Sequence, residues 1–322
     1  MPENTLTQSP PEGLETDLVY ALTCTKDMTA CFAARASGLY RSKDQGQTWE
    51  YLYGSLNLEG PLPTTSVVLE PGFDGVDRGR LFAGVSGGVL RSADGGESWF
   101  ATILDSPPPA VSAMAISPHF AEDGVVLAAT TEDGIFRSAS HGTHWVRWNF
   151  GLLDLTVFSL AISAGFADDE TLFAGVESGI FRSTNGGRAW REVDLSVGYE
   201  PVVSLALSPA YPSDATIFAG TETQGLLISE DNGANWTRLG EDVIVDPVNG
   251  LLLSPSFPNS PDILALTEQA LWLSRNRGKA WTKLAPTSEG MTAFAAPQGL
   301  APGAPLLIGL MGGEVLTTIL EA

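Results

Sequence analysis

Residues 179–190 read GIFRSTNGGRAW, and close copies of this stretch return along the chain at a nearly fixed interval. The tryptophans that close the six copies are 50, 46, 45, 46 and 45 residues apart. A period of this length is typical of propellers and solenoids, so we interpret the chain as a repeat protein. The other copies are GLYRSKDQGQTW (38–49), GVLRSADGGESW (88–99), GIFRSASHGTHW (134–145), GLLISEDNGANW (225–236) and ALWLSRNRGKAW (270–281).

Each copy is predicted to form a β-hairpin. An apolar run leads into Ser-x-(Asp/Asn)-x-Gly and then into a tryptophan. The Asp or Asn oxygen can accept hydrogen bonds from backbone N–H groups two or more residues later, and the glycine can adopt the positive φ that closes the turn. The tryptophan supplies apolar area for packing on a neighbouring sheet. We therefore predict a structural role for Asp44, Asp94, Asn185, Asp231, Trp49, Trp99, Trp145, Trp190, Trp236 and Trp281.

The pattern Ser-x-Asp-x-Gly-x-Thr-Trp resembles the Asp-box, or bacterial neuraminidase repeat, of sialidase-like β-propellers. Residues 42–49 give the most complete match, whereas Ser140 and Asn276 replace the aspartate in copies three and six. The resemblance implies a fold and little about function. The same turn occurs in glycosidases, sortilin-type receptors and non-enzymatic assembly factors.

The repeats predict an all-β, seven-bladed β-propeller that forms a single domain over residues 1–322. Four short strands fit each repeat, and a seventh, degenerate copy without the box or the tryptophan ends before its fourth strand. Residues 4–10 resemble the strand at 281–286, so we predict that the N-terminus closes the ring and covers the open sheet edge. The predicted blades are 18–56, 64–106, 110–152, 156–196, 201–242, 247–286 and 290–322, the last completed by 3–10.

The chain is strongly acidic, with 38 Asp and Glu against 17 Lys and Arg and a formal net charge of −21. Such a surface repels nucleic acids and anionic membranes, and no basic run interrupts it, so we expect neither as a partner. The N-terminus has no basic and apolar leader pattern, and no apolar stretch approaches the length of a membrane span. These features predict a cytoplasmic protein.

Only two cysteines occur, and both lie in the first repeat. Pairing of residue numbers that sum to 55 would place Cys24 opposite Cys31 across a turn at Asp27 and Met28. A disulfide is therefore geometrically conceivable. Because the chain has no export signal, we expect two reduced, partly buried thiols instead.

Catalytic motifs were sought because the resemblance includes glycosidases. Sialidases hold the sugar carboxylate with three arginines, one of them in a Phe/Tyr-Arg-Ile-Pro motif, and this chain has no such motif. Asp-box xyloglucanases work in a cleft between two propellers, and the length here predicts one. The histidines at 119, 141 and 144 have no surrounding acidic framework, so we expect no metal and no cofactor.

Two sets of charged residues recur at fixed repeat positions. The acidic arc, defined as Glu132, Glu177, Glu222 and Glu268, follows the second strand of repeats three to six and is predicted to lie on the face opposite the Asp-box turns. These residues form either a partner-binding arc or ordinary solvated turns.

The arginine row, defined as Arg41, Arg91, Arg137 and Arg182, occupies one position of the third strand. We interpret it as packing between blades. A partner-binding patch, as in propellers of the photosystem-assembly type, is the alternative.

The sequence therefore favours a non-catalytic protein-binding or assembly scaffold that docks its partner on a propeller face and the central funnel. We expect the partner to be another protein with a basic surface or segment, and the chain to be a monomer or part of a larger complex. A sialidase-like or other glycoside hydrolase is the first alternative, and a carbohydrate-binding, lectin-like propeller is the second.

Overall fold

A computed structural model describes residues 15–74, 79–195, 197–284 and 290–321. Seven small antiparallel sheets stand in a ring, and each inner strand contacts the inner strands of the blades on either side. The predicted all-β, seven-bladed propeller is therefore confirmed. The predicted closing strand at 3–10 lies outside the described residues.

Six blades have four strands each and the seventh has three among the described residues. The inner strands are β1 (Val19–Cys24), β5 (Thr64–Leu69), β9 (Val111–Ile116), β13 (Val157–Ile162), β17 (Val202–Leu207), β21 (Val248–Leu253) and β25 (Met291–Ala295). The second strands are β2 (Cys31–Arg35), β6 (Leu81–Val85), β10 (Val125–Thr130), β14 (Leu172–Val176), β18 (Ile217–Thr221), β22 (Ile263–Thr267) and β26 (Pro305–Leu310).

The third strands are β3 (Gly38–Ser42), β7 (Gly88–Ser92), β11 (Ile135–Ala139), β15 (Gly179–Ser183), β19 (Leu226–Ser229), β23 (Leu271–Ser274) and β27 (Val315–Ile319). The outer strands are β4 (Glu50–Tyr51), β8 (Phe100–Ile103), β12 (Val146–Arg147), β16 (Arg191–Val193), β20 (Thr237–Leu239) and β24 (Thr282–Leu284). Two one-turn helices, α1 (Phe120–Asp123) and α2 (Phe166–Asp169), and a 3-10 turn (Tyr53–Leu56) lie in loops. No helix of the described residues has the length and apolar character that a bilayer crossing requires.

Hydroxyl side chains link neighbouring inner strands around the ring by hydrogen bonds. Every inner strand has a β-bulge at its second residue, where one extra residue interrupts the pairing with the second strand. At or beside five of these bulges, a Ser or Thr hydroxyl donates a hydrogen bond to the carbonyl of the first residue of the next inner strand. The pairs are Thr65 with Val111, Ser112 with Val157, Ser159 with Val202, Ser204 with Val248 and Thr292 with Val19.

Aromatic pairs fill the space between blades. A phenylalanine of one second strand meets, edge to face, an aromatic residue from the loop between the first two strands of the following blade. Burying two large rings at each contact provides much of the apolar stabilisation between neighbouring blades. The pairs, with their ring-centroid distances, are Phe32 and Phe73 (5.7 Å), Phe82 and Phe120 (5.6 Å), Phe173 and Tyr211 (6.0 Å), and Phe218 and Phe257 (5.7 Å).

The Asp-box turns form as the sequence predicts. In the first, the amide of Gly46 donates to the Ser42 hydroxyl at 2.8 Å, and the amide and hydroxyl of Thr48 donate to the Asp44 carboxylate at 2.8 and 2.6 Å. The divergent copies keep the same turn. The Ser140 hydroxyl accepts from the His144 amide at 2.9 Å, and the Asn276 side chain accepts from the Ala280 amide at 2.8 Å.

The ring closes between blades seven and one. Besides the contact of Thr292 with Val19, the Gly46 turn of blade one packs on Leu307 and Thr317 of blade seven. A Cβ at Gly46, where φ is +87°, would lie 2.9 Å from the Thr317 hydroxyl oxygen, so this close approach requires glycine. In the described residues β27 pairs with β26 alone.

The two cysteines form a disulfide, so the expectation of reduced thiols is wrong. Strands β1 and β2 pair in the register that places Cys24 directly opposite Cys31, with 4.0 Å between the Cα atoms. That separation is short enough for the two sulfur atoms to meet. The register of the two strands therefore predicted the state of the cysteines correctly, and the absence of an export signal did not.

Candidate functional site

The loops of the propeller divide into two faces. Successive strands of a blade are antiparallel, so the turns between second and third strands lie at the same end as the connectors from an outer strand to the next inner strand. We call this end the connector face. The Asp-box turns, together with the loops between first and second strands, form the opposite end, the Asp-box face.

Loops of the connector face contain no lysine or arginine within the described residues. These loops are 15–18, 36–37, 52–63, 86–87, 104–110, 131–134, 148–156, 177–178, 194–201 (without 196), 222–225, 240–247, 268–270, 290 and 311–314. They carry sixteen carboxylates: Glu15, Asp17, Glu59, Asp105, Glu132, Asp133, Asp154, Glu177, Asp194, Glu200, Glu222, Glu241, Asp242, Asp246, Glu268 and Glu314.

The Asp-box face has both signs of charge. Its described loops contain Lys26, Lys43, Arg80, Arg188, Arg275, Arg277 and Lys279. Several of these cations pair with nearby acids, such as Arg188 with Glu170 at 2.9 Å. The connector-face loops themselves carry only acidic charge. Two arginines at strand ends pair with some of these acids, Arg147 of β12 with Asp105 and Asp133 and Arg35 of β2 with Asp17. The connector face therefore has a clear excess of negative charge.

The connector face is also where large apolar side chains are exposed. None of the exposed large apolar residues of the described chain lies in a loop of the Asp-box face, and the remaining ones are on strands. Exposed apolar groups beside charge are a common feature of interaction surfaces. Those in connector-face loops are Leu58, Phe150, Leu153, Leu155, Val197, Tyr199, Val243, Val245 and Met311.

Several carboxylates hold the connector-face loops in place. Glu200, only 3% exposed, accepts hydrogen bonds from the amides of Thr223 and Gln224 at 2.6 and 3.1 Å. Asp154 in the same way accepts from the Ser178 amide at 2.8 Å, and Asp17 accepts from the Ser37 amide at 2.8 Å. These bonds satisfy backbone donors and tie each connector to the adjacent turn, so the face is preorganised.

Three of the four residues of the acidic arc occupy equivalent places. Glu177, Glu222 and Glu268 directly follow the second strands of blades four to six, whereas Glu132 lies one residue further along, after Thr131, so the expected correspondence is wrong for Glu132. All four are exposed and lie on the connector face. The backbone amides of Glu177 and Glu222 donate to the carbonyls of Thr156 and Pro201, the residues before the inner strands, at 3.1 and 3.0 Å. The arc is therefore one part of a larger acidic surface.

The arginine row lies elsewhere. Its members stand near the Asp-box ends of the third strands, next to the following blade. Arg41 is 5% exposed, donates to the Gly95 carbonyl at 2.6 Å and pairs with Glu50 and Glu97. The guanidinium carbon atoms of the other three lie 5.3–6.0 Å from the centroids of aromatic rings, those of Phe100, Trp148 and Phe173 respectively. These three rings belong to the arginines' own blades. Contacts across blades are made by Arg41, with the Asp-box turn of blade two, and by Arg91, which lies beside Gly142 of blade three. The structure does not bring the row together with the acidic arc.

Two depressions open on the connector face. One, of 450 Å³, is walled by Tyr40, Tyr51 and Tyr53 beside the connector from blade one to blade two. The other, of 530 Å³, lies between Ser178 and Tyr199. Desolvation, followed by a hydrogen bond with Glu177, raises the pKa of Tyr199 above its ordinary value.

No grouping of three or more metal-ligating side chains is found in the part of the chain that the structure describes. The ring of His141 packs edge to face on Phe120, with 5.0 Å between centroids, in an Asp-box-face loop. That histidine has a packing partner in the fold.

A family model described as BNR/Asp-box repeat matches residues 40–51. The chain is a seven-bladed β-propeller that contains an Asp-box repeat. A sequence comparison with curated proteins gives no match. Structural comparison finds the GH74 xyloglucanase from Xanthomonas campestris, with a TM-score of 0.74 and 17% identity over 94% of this chain. The match covers 52% of that enzyme, so this Asp-box propeller spans about half of its length.

Two further similar structures have the size of this propeller. YCF48 bound to D1 peptide has a TM-score of 0.67 and 18% identity, over 96% of this chain and 95% of its own. YCF48 from Cyanidioschyzon merolae has a TM-score of 0.64 and 14% identity, over 96% and 98%. At these identities, the likeness shows a shared fold.

Sequence reasoning found the acidic arc but missed the connector face as a whole. The signal was present, because the segments between repeats contain no cation. It becomes readable only once each segment is assigned to one end of the blades. To assign each segment to one end, the strand boundaries must be known. The outer strands have only two to four residues and a weak pattern, so their boundaries cannot be predicted from the sequence.

Proposed function

We propose that this Asp-box propeller is a non-catalytic protein-binding scaffold that docks a basic partner on its connector face. The observation that carries the proposal is the segregation of charge: sixteen carboxylates and no cation in the described connector-face loops, with exposed apolar groups among them. We further propose that the protein works in the cytoplasm.

The two surface properties have different physical roles. Carboxylates gathered on one face attract a basic partner over a distance and raise its association rate, whereas each exposed ion pair adds little affinity. Apolar groups such as Phe150 and Leu153, each 81% exposed, supply the area whose burial slows dissociation. YCF48, of similar size and fold, has been solved with a bound peptide, which supports a binding role.

The test is affinity capture from native cell extract with three forms of the propeller. The first is wild type, and the second carries Glu→Gln at all four positions of the acidic arc. The third is a matched control with four exposed acids of the Asp-box face neutralised: Glu122→Gln, Asp168→Asn, Glu230→Gln and Glu321→Gln. We expect a protein partner that the wild type and the control retain and the arc variant loses. Equal retention by all three would contradict docking on this face.

A glycoside hydrolase is the alternative that the GH74 likeness supports. Its test is turnover of xyloglucan fragments, β-glucosides and sialosides by the purified propeller. Turnover that a single carboxylate substitution abolishes would replace the scaffold proposal. Binding of the same sugars without turnover would instead support a lectin-like propeller.

A further inference from the structure

The tyrosine groove, defined by Tyr40, Tyr51 and Tyr53 with Leu58 and Glu59, is an open depression of 450 Å³ on the connector face. Tyr51 is the accessible ring, with 43% of its surface exposed, while the other two rings are 8% and 1% exposed. The rings meet edge to face, with centroids 5.4 Å apart for Tyr40 and Tyr51 and 5.9 Å apart for Tyr51 and Tyr53. Tyr51 is therefore held between two buried rings.

Backbone shape and hydrogen bonding fix these rings. Gly38 has a φ of +144°, and a Cβ there would lie 2.6 Å from the Tyr51 ring, so the ring rests against bare backbone. Both buried phenols already have partners, since the hydroxyls of Tyr40 and Tyr53 hydrogen-bond to Ser37 and Thr64, each at 2.9 Å. The π-system of Tyr51 is thus the main recognition element that the aromatic wall offers.

The same cluster already binds one cation inside the fold. The guanidinium carbon of Arg35 lies 4.3 Å from the centroid of Tyr40, within the range of a cation–π contact. Arg35 is 8% exposed and pairs with Asp17 at 3.8 Å, so its charge is compensated on the interior side. On the open side, the loops that border Tyr51 contain Glu59 and no cation.

We infer that the tyrosine groove binds an arginine or lysine side chain of a basic polypeptide segment, with the cation on the open face of Tyr51 and within reach of Glu59. Charge complementarity selects this occupant, because an aromatic wall beside a carboxylate, in a groove whose lining includes no cation, attracts a positive group. The inference rests on the proposed function and deepens it by naming an anchoring subsite.

The first experiment uses the folded protein and a small probe. Backbone amide signals are followed by NMR during titration with N-acetyl-arginine amide and, in parallel, with N-acetyl-citrulline amide, which has nearly the same shape without the charge. The arginine probe is expected to shift the amides of Ser37, Gly38, Gly54 and Gly60 saturably, and the citrulline probe is not. Equal shifts from both probes, or shifts from xyloglucan fragments but not from arginine, would overturn the inference.

The second experiment asks whether the aromatic face matters. A fluorescein-labelled nine-residue peptide that alternates glycine with arginine or lysine is titrated by anisotropy against wild type, Tyr51→Leu and Tyr51→Phe. We expect Tyr51→Leu to weaken binding about two- to fivefold, as for an exposed cation–π contact, and Tyr51→Phe to bind like wild type. The control is Phe100→Leu, which removes a 59% exposed aromatic ring on β8, outside the connector-face loops, and should bind like wild type.

Docking on the connector face and anchoring in the tyrosine groove can be disproved independently. If Tyr51→Leu keeps wild-type affinity with an unchanged melting temperature, the groove is not the anchor, while docking on the connector face is still judged by partner capture. If Tyr51→Phe loses as much affinity as Tyr51→Leu, the phenol and not the π face is responsible, and the inference is wrong.

Discussion

Single polar side chains determine how well each hairpin turn is held. The Asp94 carboxylate accepts bonds from the amide of Ser98 at 2.9 Å and from the hydroxyl of Ser92 at 2.7 Å. We expect Asp94→Ala to lower the free energy of unfolding by about 1–2 kcal/mol, because turn donors lose their acceptor. Urea denaturation measures this change. The exposed Asp242→Ala serves as the control and should have little effect, and equal effects of both would contradict the structural role.

Protonation of the Asp-box carboxylates should destabilise the fold in acid. Burial raises the pKa of Asp94, but hydrogen bonds from Ser98 outweigh it, so the pKa lies below its ordinary value of 3.8. Hydrogen bonds from Asn235 lower the pKa of Asp231 as well. A lowered pKa in the folded state contributes stability above the unfolded pKa, and this is lost as the pH falls through the folded value.

Asp94→Asn tests that pH dependence, because it keeps an amide oxygen like that of Asn185 in copy four and removes the charge. We expect the variant to have a shallower loss of stability than wild type between about pH 5 and pH 2. Melting temperatures across this range measure the slope. Parallel curves for the two proteins would mean that Asp94 does not contribute to acid sensitivity.

At the scale of an element, the β1–β2 hairpin carries the disulfide. The bond joins residues seven positions apart, and closing so short a loop is expected to stabilise the fold by about 2–3 kcal/mol on the chain-entropy model. Reduction of Cys24 and Cys31 should lower the melting temperature accordingly. The double Cys→Ser variant is the control and should not respond to reductant. To determine the state of the bond in the cell, free thiols are blocked by rapid alkylation in cell extract, and the protein is then unfolded, reduced and labelled with a second reagent. We expect the second label on both Cys24 and Cys31, and its absence would show that the bond does not form in the cell.

The outer edge of β27 is where we expect the N-terminal strand, residues 3–10, to pair. In the described residues this strand pairs only with β26, and Thr317, Thr318 and Ile319 are exposed. Deletion of residues 1–10 should lower the melting temperature and promote association, because an unpaired edge recruits other strands. Light scattering and thermal melts measure both effects. A variant with a glycine–serine segment of equal length in place of 3–10 should behave like the deletion, and a stable monomer in both cases would disprove closure by the N-terminus.

At the scale of the molecule, the connector face acts through its summed field. A single Glu→Gln change in the acidic arc should leave association with a captured partner almost unchanged, since one exposed contact is worth within about 1 kcal/mol. The fourfold variant should associate more slowly and depend less on salt, with little change in melting temperature. Stopped-flow rates at low and high salt measure this. A fourfold variant that associates at the wild-type rate in low salt would reduce the arc to ordinary solvated turns.

Local sequence was enough for the parts of the fold that local interactions control. The turn at residues 42–49 is specified by side chains that bond to amides within four positions, so its type could be predicted from the repeat alone. The number of blades followed from the period. The position of Arg41 between blades was predictable because apolar residues replace arginine in later copies, at Ile228 and Leu273.

Other features depend on how distant segments meet in space, and only the closed ring determines them. The tyrosine groove combines a strand pair of blade one with the connector that leads to blade two. The connector face brings together fourteen loop segments that are spread along the chain, because antiparallel strands return them all to one end of the ring. Its excess of negative charge is a sum over the whole fold, which no single repeat displays.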